Sequence, residues 1–86
     1  MSNAAPSELH DRVTRLLADV LQIDPPRPDL DLIDAGLLDS LGLIELVHAL
    51  EIEFAIRLGF DELDLDALRT STGIAALVAT TAAHAA

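Results

Sequence analysis

The 86-residue chain contains no cysteine, lysine, tryptophan or tyrosine. Without cysteine there is no disulfide framework and no thiolate metal site, and the chain has no thiol of its own. Its only aromatic residues are Phe54 and Phe60, so a core must be built from Leu, Ile, Val and Ala; an apolar fraction of 51% is ample for one. All formal positive charge rests on five arginines against 15 Asp and Glu, a net charge of -10. This excludes nucleic acid as a partner, because such binding is driven by neutralising phosphates with cations. It equally disfavours an anionic membrane surface. A strongly acidic domain suits basic protein partners through electrostatic steering, and the same charge serves solubility.

Long hydrophobic runs are missing too. The Ala-rich stretch "IAALVATTAAHAA" is too short, and too interrupted by Thr and His, to span a bilayer. "MSNAAPSE" has neither the basic region nor the apolar core of a secretory signal. No membrane insertion and a cytoplasmic location are therefore expected. Residues 1–5 read as a disordered or expression-derived extension, and residues 6–86 as a single domain.

What is present is helical periodicity. In "PSELHDRVTRLLADVLQI", Leu9, Val13, Leu16, Leu17, Val20 and Leu21 fall on one stripe, with Ser7 as the expected N-cap. Pro25, Pro26 and Pro28 forbid its continuation. Residues 24–38 form a long loop whose Leu30, Leu32 and Ile33 are expected to fold back onto the core. Asp29, Asp31 and Asp34 invite a calcium reading, but the glycine is displaced from the EF-hand position and apolar residues fill the gaps. A second helix is expected from Asp39 or Ser40 to about Arg57, with Gly59 as its C′ residue. One face of it gathers Leu43, Leu46, Val47, Leu50, Phe54 and, beyond, Leu58 as core. The other gathers Leu41, Ile44, Glu45, His48, Ile52 and Ala55, an apolar mixture suited to contact with a partner.

"FDELDLDAL" allows a short helix, with Phe60, Leu63, Leu65 and Leu68 as plugs. "RTST" then supplies caps for a last helix from Gly73 to Ala83, buried through Ile74, Leu77 and Val78. No period-2 pattern of useful length occurs. The fold class is all-α: a small bundle of three main helices plus one short helix, with a long loop between helices 1 and 2.

Catalytic constellations are poorly represented. A serine nucleophile needs a base in hydrogen-bond reach. His48 lies two turns along the helix from Ser40, roughly 12 Å at 1.5 Å per residue. His10 and His84 read as solvated terminal residues. No Gly-x-Ser-x-Gly elbow and no phosphate-cradling glycine loop is present. No catalytic residue and no metal ligand is assigned. Ser40 stands apart: if Asp39 caps the helix, the Ser40 hydroxyl is left free at a helix N-terminus, a place that favours an attached phosphate.

Residues 36–54, "GLLDSLGLIELVHALEIEF", resemble the acyl carrier protein family. The resemblance rests on Asp39-Ser40-Leu41 opening an amphipathic helix, on the preceding Asp34-x-Gly36-Leu37-Leu38, and on the last helix after "RTST". It covers roughly residues 8 to 80. It implies covalent 4′-phosphopantetheine on Ser40, flanked by Asp39 and Leu41, with acyl or aminoacyl cargo held as a thioester. The pathway class it implies is fatty-acid or polyketide biosynthesis, or aminoacyl transfer. It implies a non-enzyme that works with a phosphopantetheinyl transferase, which brings Mg²⁺ and the base. A loading enzyme (an adenylating ligase or acyltransferase) and a downstream transferase or synthase complete the set, with the carrier a monomer. Partner recognition falls on Leu41, Ile44, Glu45, His48 and Ile52. Gly42 stands where many fatty-acid carriers have an acid, His48 replaces an apolar residue and Ile52 an acid. These departures imply a less acidic exposed face and a dedicated partner set. Gly42 after the triplet and the long Phe54–Thr70 segment are similar to D-alanyl and related aminoacyl carriers. An aminoacyl or peptidyl carrier is thus the alternative within the family, and an unmodified helical adaptor the alternative outside it.

Overall fold

A computed structural model describes residues 6–59 and 64–83. The extension expected at residues 1–5, the plugs Phe60 and Leu63, and His84 lie outside the described residues. The chain forms α1 (Pro6–Leu21), α2 (Ser40–Phe54), a 3₁₀ helix (Leu65–Leu68) and α3 (Ser71–Ala83). The all-α expectation holds, with no strand among the described residues.

The apolar stripe of α1 puts Val13 and Leu17 in the core, with Leu9, Leu16, Val20 and Leu21 packed at its margin. The helix starts on Pro6, whose missing N–H would have no partner in the first turn anyway. Ser7 therefore lies within the helix rather than capping it. His10 is not simply solvated: its Nε2 lies 3.1 Å from the Oγ of Ser71, which is fully buried at the start of α3.

On α2, Leu46, Val47 and Leu50 are buried as expected, whereas Leu43 and Phe54 are only half-buried. Phe54 instead offers its ring to Arg12, whose guanidinium sits 4.6 Å from the centroid and 2.9 Å from Glu53. The helix ends at Phe54, short of Arg57, because Ala55 takes the left-handed conformation (φ 54°, ψ 47°). Gly59 is thus not the C′ residue. Glu51 organises the reversal. Its carbonyl accepts the N–H groups of Ala55 and Ile56, and its carboxylate accepts that of Leu58 at 2.8 Å. The turn sends Ile56 and Leu58 into the core. Burying each is worth about 1.5–3 kcal/mol. Together they outweigh the about 1–2 kcal/mol that a left-handed alanine costs.

The segment 22–39 is tied down at several points. Leu32 is fully buried and donates its N–H to the Arg69 carbonyl at 2.7 Å; its own carbonyl accepts from Leu37 and Leu38. Thr72 donates both its N–H and its hydroxyl to the Pro28 carbonyl. Leu30 packs at the core margin, but Ile33 stays 37% exposed. Asp31 is used by the turn itself: its Oδ1 accepts the N–H groups of Ile33 and Asp34. No group of three or more His, Asp or Glu side chains among the described residues could hold a metal ion.

The 3₁₀ helix buries Leu68, while Leu65 is 54% exposed and is no plug. The last helix starts at Ser71, two residues before Gly73, because Thr70 caps it: Thr70 Oγ1 accepts the Gly73 N–H at 3.0 Å. Gly73 is required by packing. A Cβ there would collide with the carbonyl oxygen of Ala67 in the 3₁₀ helix.

Candidate functional site

Ser40 is the first residue of α2, and its surroundings follow from the division of labour with Asp39. Asp39 has extended backbone, and its Oδ1 accepts the Gly42 N–H at 2.8 Å, a side-chain N-cap. Its carbonyl accepts the Leu43 N–H at 2.8 Å. With the cap supplied by its neighbour, the hydroxyl of exposed Ser40 has no hydrogen-bond partner among the described residues. The N–H groups of Ser40 and Leu41 have no partner among the described residues, so two first-turn donors remain open beside the hydroxyl.

A cleft of about 260 Å³ opens next to the serine, lined by Ile33, Leu38, Asp39, Ser40, Leu43 and Leu65. Four of these six are aliphatic. The half-burial of Leu43 and the exposure of Ile33 and Leu65 are one fact: these side chains form the walls of the cleft. Periodicity could not find it, because its walls come from the interhelical segment and the 3₁₀ helix as well as from α2.

Among the described residues, no histidine is hydrogen-bonded to Ser40. His48 is on the same helix, roughly 12 Å further along. His10 is engaged with Ser71, and that serine is fully buried.

The second face of α2 is open as periodicity indicated. Leu41, Ile44 and Ile52 are 65%, 54% and 71% exposed, and Glu45 and His48 are exposed between them. Gly42 does not belong to that face. It is buried, and a Cβ there would lie 3.2 Å from the capping Asp39 Oδ1 and 3.4 Å from Leu21 Cδ2 on α1. The smallness of Gly42 therefore serves the cap and the contact between helices, and says nothing about the acidity of the exposed surface.

A match to the family described as "Phosphopantetheine attachment site" spans residues 11–79. The chain belongs to that family. It is 38% identical over 69 residues to the D-alanyl carrier protein of Bacillus licheniformis, covering 78% of this chain and 88% of that one. With the D-alanyl carrier protein of Bacillus subtilis it shares 39% over 64 residues, 72% of this chain and 82% of the relative. The D-alanyl carrier protein of Streptococcus pyogenes serotype M1 is 48% identical over a shorter stretch of 46 residues, 54% of this chain and 58% of that one. The chain is thus a phosphopantetheine carrier similar to D-alanyl carrier proteins. Carriers of this kind bear 4′-phosphopantetheine covalently, hold acyl groups without being catalysts, and meet a phosphopantetheinyl transferase and loading enzymes.

The residues present fit such a group. Two open N–H donors and the positive end of the α2 dipole suit a phosphate at Ser40. The aliphatic cleft suits the apolar part of a pantetheine chain. No helix among the described residues is long and apolar enough to cross a membrane.

Proposed function

We propose that Ser40 is the residue that takes the 4′-phosphopantetheine, flanked by Asp39 and Leu41. The observation that supports this is the commitment of the Asp39 carboxylate to the Gly42 N–H, which leaves an exposed hydroxyl at the helix start. In the transfer, Ser40 Oγ forms a bond to the coenzyme A phosphorus that bears the pantetheine. The diphosphate bond breaks, adenosine 3′,5′-bisphosphate leaves, and the serine proton passes to a base of the transferase. Because the base belongs to the partner, the absence of a histidine beside Ser40 is no obstacle. Once attached, the group supplies a thiol on a flexible arm, where cargo is carried as a thioester; a chain without cysteine has no thiol to compete with it.

The chain itself acts as a monomeric, non-catalytic shuttle in the cytoplasm, where coenzyme A is found. Leu41, Ile44, Glu45, His48 and Ile52 form the surface that partners read. The relatives' names favour an aminoacyl cargo, D-alanine first, loaded by an adenylating ligase and passed to a downstream transferase. Exposed His48 and Ile52 are where the partner set of this carrier is distinguished from that of acid-faced carriers.

Mass spectrometry tests the attachment. Incubation with coenzyme A and a broad-specificity phosphopantetheinyl transferase should add one phosphopantetheine to the wild type and none to Ser40→Ala. A wild type that gains nothing, or a Ser40→Ala protein that gains as much, overturns the assignment. Incubating the modified protein with ATP, D-alanine and a D-alanine-adenylating ligase then tests the cargo. A second mass gain that hydroxylamine removes is the expected result.

A further inference from the structure

The cleft beside Ser40 is bounded by parts of the chain that are remote in sequence. Ile33 and Leu38 come from the interhelical segment, and Leu65 from the 3₁₀ helix. Covalent connectivity does not fix the distance between these walls, so a tertiary contact must. Arg69 touches both. Its carbonyl accepts the Leu32 N–H at 2.7 Å, one residue from Ile33, and its own N–H reaches back to the Asp66 carbonyl at 3.3 Å. Its guanidinium lies between two carboxylates: Nη1 is 3.6 Å from Asp31 Oδ2, and Nε is 3.8 Å from Asp66 Oδ1. Both distances are beyond a hydrogen bond. Arg69 Nη1 is moreover buried with no hydrogen-bond partner among the described residues.

The two ion pairs are unequal. Asp66 is 92% exposed, and a pair to it contributes little. The Asp31 and Arg69 side chains are 33% and 35% exposed, so water screens their attraction less. The Asp31–Arg69 pair therefore joins the two segments that carry the walls, and it is slack. Closing it by about 0.8 Å would convert 3.6 Å into a charge-assisted hydrogen bond of roughly 2.8 Å and give the buried Nη1 its missing partner.

We propose that Arg69 is a positioning residue for the pantetheine arm: through Asp31 it sets the separation of the cleft walls, and so how firmly the arm rests against Leu38, Leu43 and Leu65. This rests on attachment at Ser40. With the walls closed, the apolar part of the arm is sheltered between interactions with partners. With the pair broken, the arm stands free of the cleft.

The test compares the phosphopantetheinylated wild type with Arg69→Lys, Arg69→Met, Asp31→Asn and Thr72→Val. Arg69→Met keeps the aliphatic stem. Asp31→Asn keeps an Oδ1 acceptor for the Ile33 and Asp34 N–H groups. Thr72→Val removes the hydroxyl bond to Pro28 without touching the ion pair, and so controls for general loosening of the segment. Nuclear Overhauser contacts between the geminal methyls of the arm and the methyls of Leu38, Leu43 and Leu65 should be strong in the wild type, Arg69→Lys and Thr72→Val. They should be lost in Arg69→Met and Asp31→Asn. In the unmodified proteins, the Leu32 amide should exchange up to about fivefold faster in Arg69→Met and Asp31→Asn than in the wild type, the upper end of what a solvent-accessible ion pair contributes. Contacts that survive both substitutions, are lost equally in Thr72→Val, or are absent from the wild type overturn the proposal. If no variant accepts phosphopantetheine, the attachment reading fails instead. Leu32 exchange then decides the brace alone, and unchanged protection in Asp31→Asn and Arg69→Met overturns it.

Discussion

Gly73→Ala is the most informative single substitution, because two general expectations for it have opposite signs. As the third residue of α3, Gly73 should gain about 1 kcal/mol from helix propensity on becoming alanine. The tertiary contact opposes this. A Cβ there collides with the Ala67 carbonyl oxygen, lies 3.1 Å from the Ala67 carbonyl carbon, and is 3.2 Å from Thr70 Oγ1. The first two are backbone atoms of the 3₁₀ helix, so no rotamer change relieves them. The third is the hydroxyl that caps α3 through the Gly73 N–H itself. Overpacking of this kind costs about 1–3 kcal/mol, and weakening the cap about 1 kcal/mol more. The net expectation is a loss of about 1–3 kcal/mol, or roughly 5–20 °C in Tm for a domain of this size. With no tryptophan or tyrosine, urea unfolding is best followed by far-UV circular dichroism. Gly59→Ala is the control: it is exposed with nothing among the described residues near the added Cβ, and should stay within about 0.5 kcal/mol of the wild type. The damage should also reach the site. The 3₁₀ helix carries Leu65 into the cleft and leads into Arg69, so retreat from α3 widens the space beside Ser40. A Gly73→Ala protein as stable as the wild type would show that the 3₁₀ helix shifts freely, and would refute the reasoning.

Three further outcomes are expected. Asp39→Ala should cost about 1 kcal/mol through the lost cap, with Asp39→Asn retaining most of it, as read by the urea midpoint; equal stability of Asp39→Ala would mean that Ser40 can cap in its place. Ile44→Asp or Ile52→Asp should slow loading or transfer by partner enzymes while leaving stability within about 0.5 kcal/mol, because both side chains are more than half exposed; a large stability loss would make this face core. Ala55→Gly should stabilise by about 0.5–1 kcal/mol, since glycine removes the left-handed strain and returns part of the gain as unfolded-state entropy; a destabilised variant would mean that the turn owes nothing to that strain.

Much of the molecule was legible in local pattern. The 3.6-residue stripe of α1 and the two faces of α2 are properties of single helices, and those helices keep them on packing. The exposed serine beside the Asp39 cap was legible the same way, since a cap and the hydroxyl next to it are one turn of sequence. The expectations that changed involve competition between distant groups. Glycine is the usual helix terminator, which pointed to Gly59; Ala55 terminates α2 because Ile56 and Leu58 gain more by burial than the alanine loses. His10 read as solvated because nothing local pairs it, and its partner Ser71 is 61 residues away. Gly42 read as a missing surface acid, yet it is pressed against Leu21 of another helix.

By itself, the sequence determined an all-α chain with an acidic surface, no thiol, and a serine at the start of an amphipathic helix. Each of these follows from composition or from contacts within a few residues. Only the tertiary structure decided that the serine borders an aliphatic cleft, and that Leu65 lines it rather than plugging the core. Only the tertiary structure set Arg69 against both segments that supply the cleft's walls. A cleft with walls from separate segments has no period and no motif, because it exists only once the segments have packed.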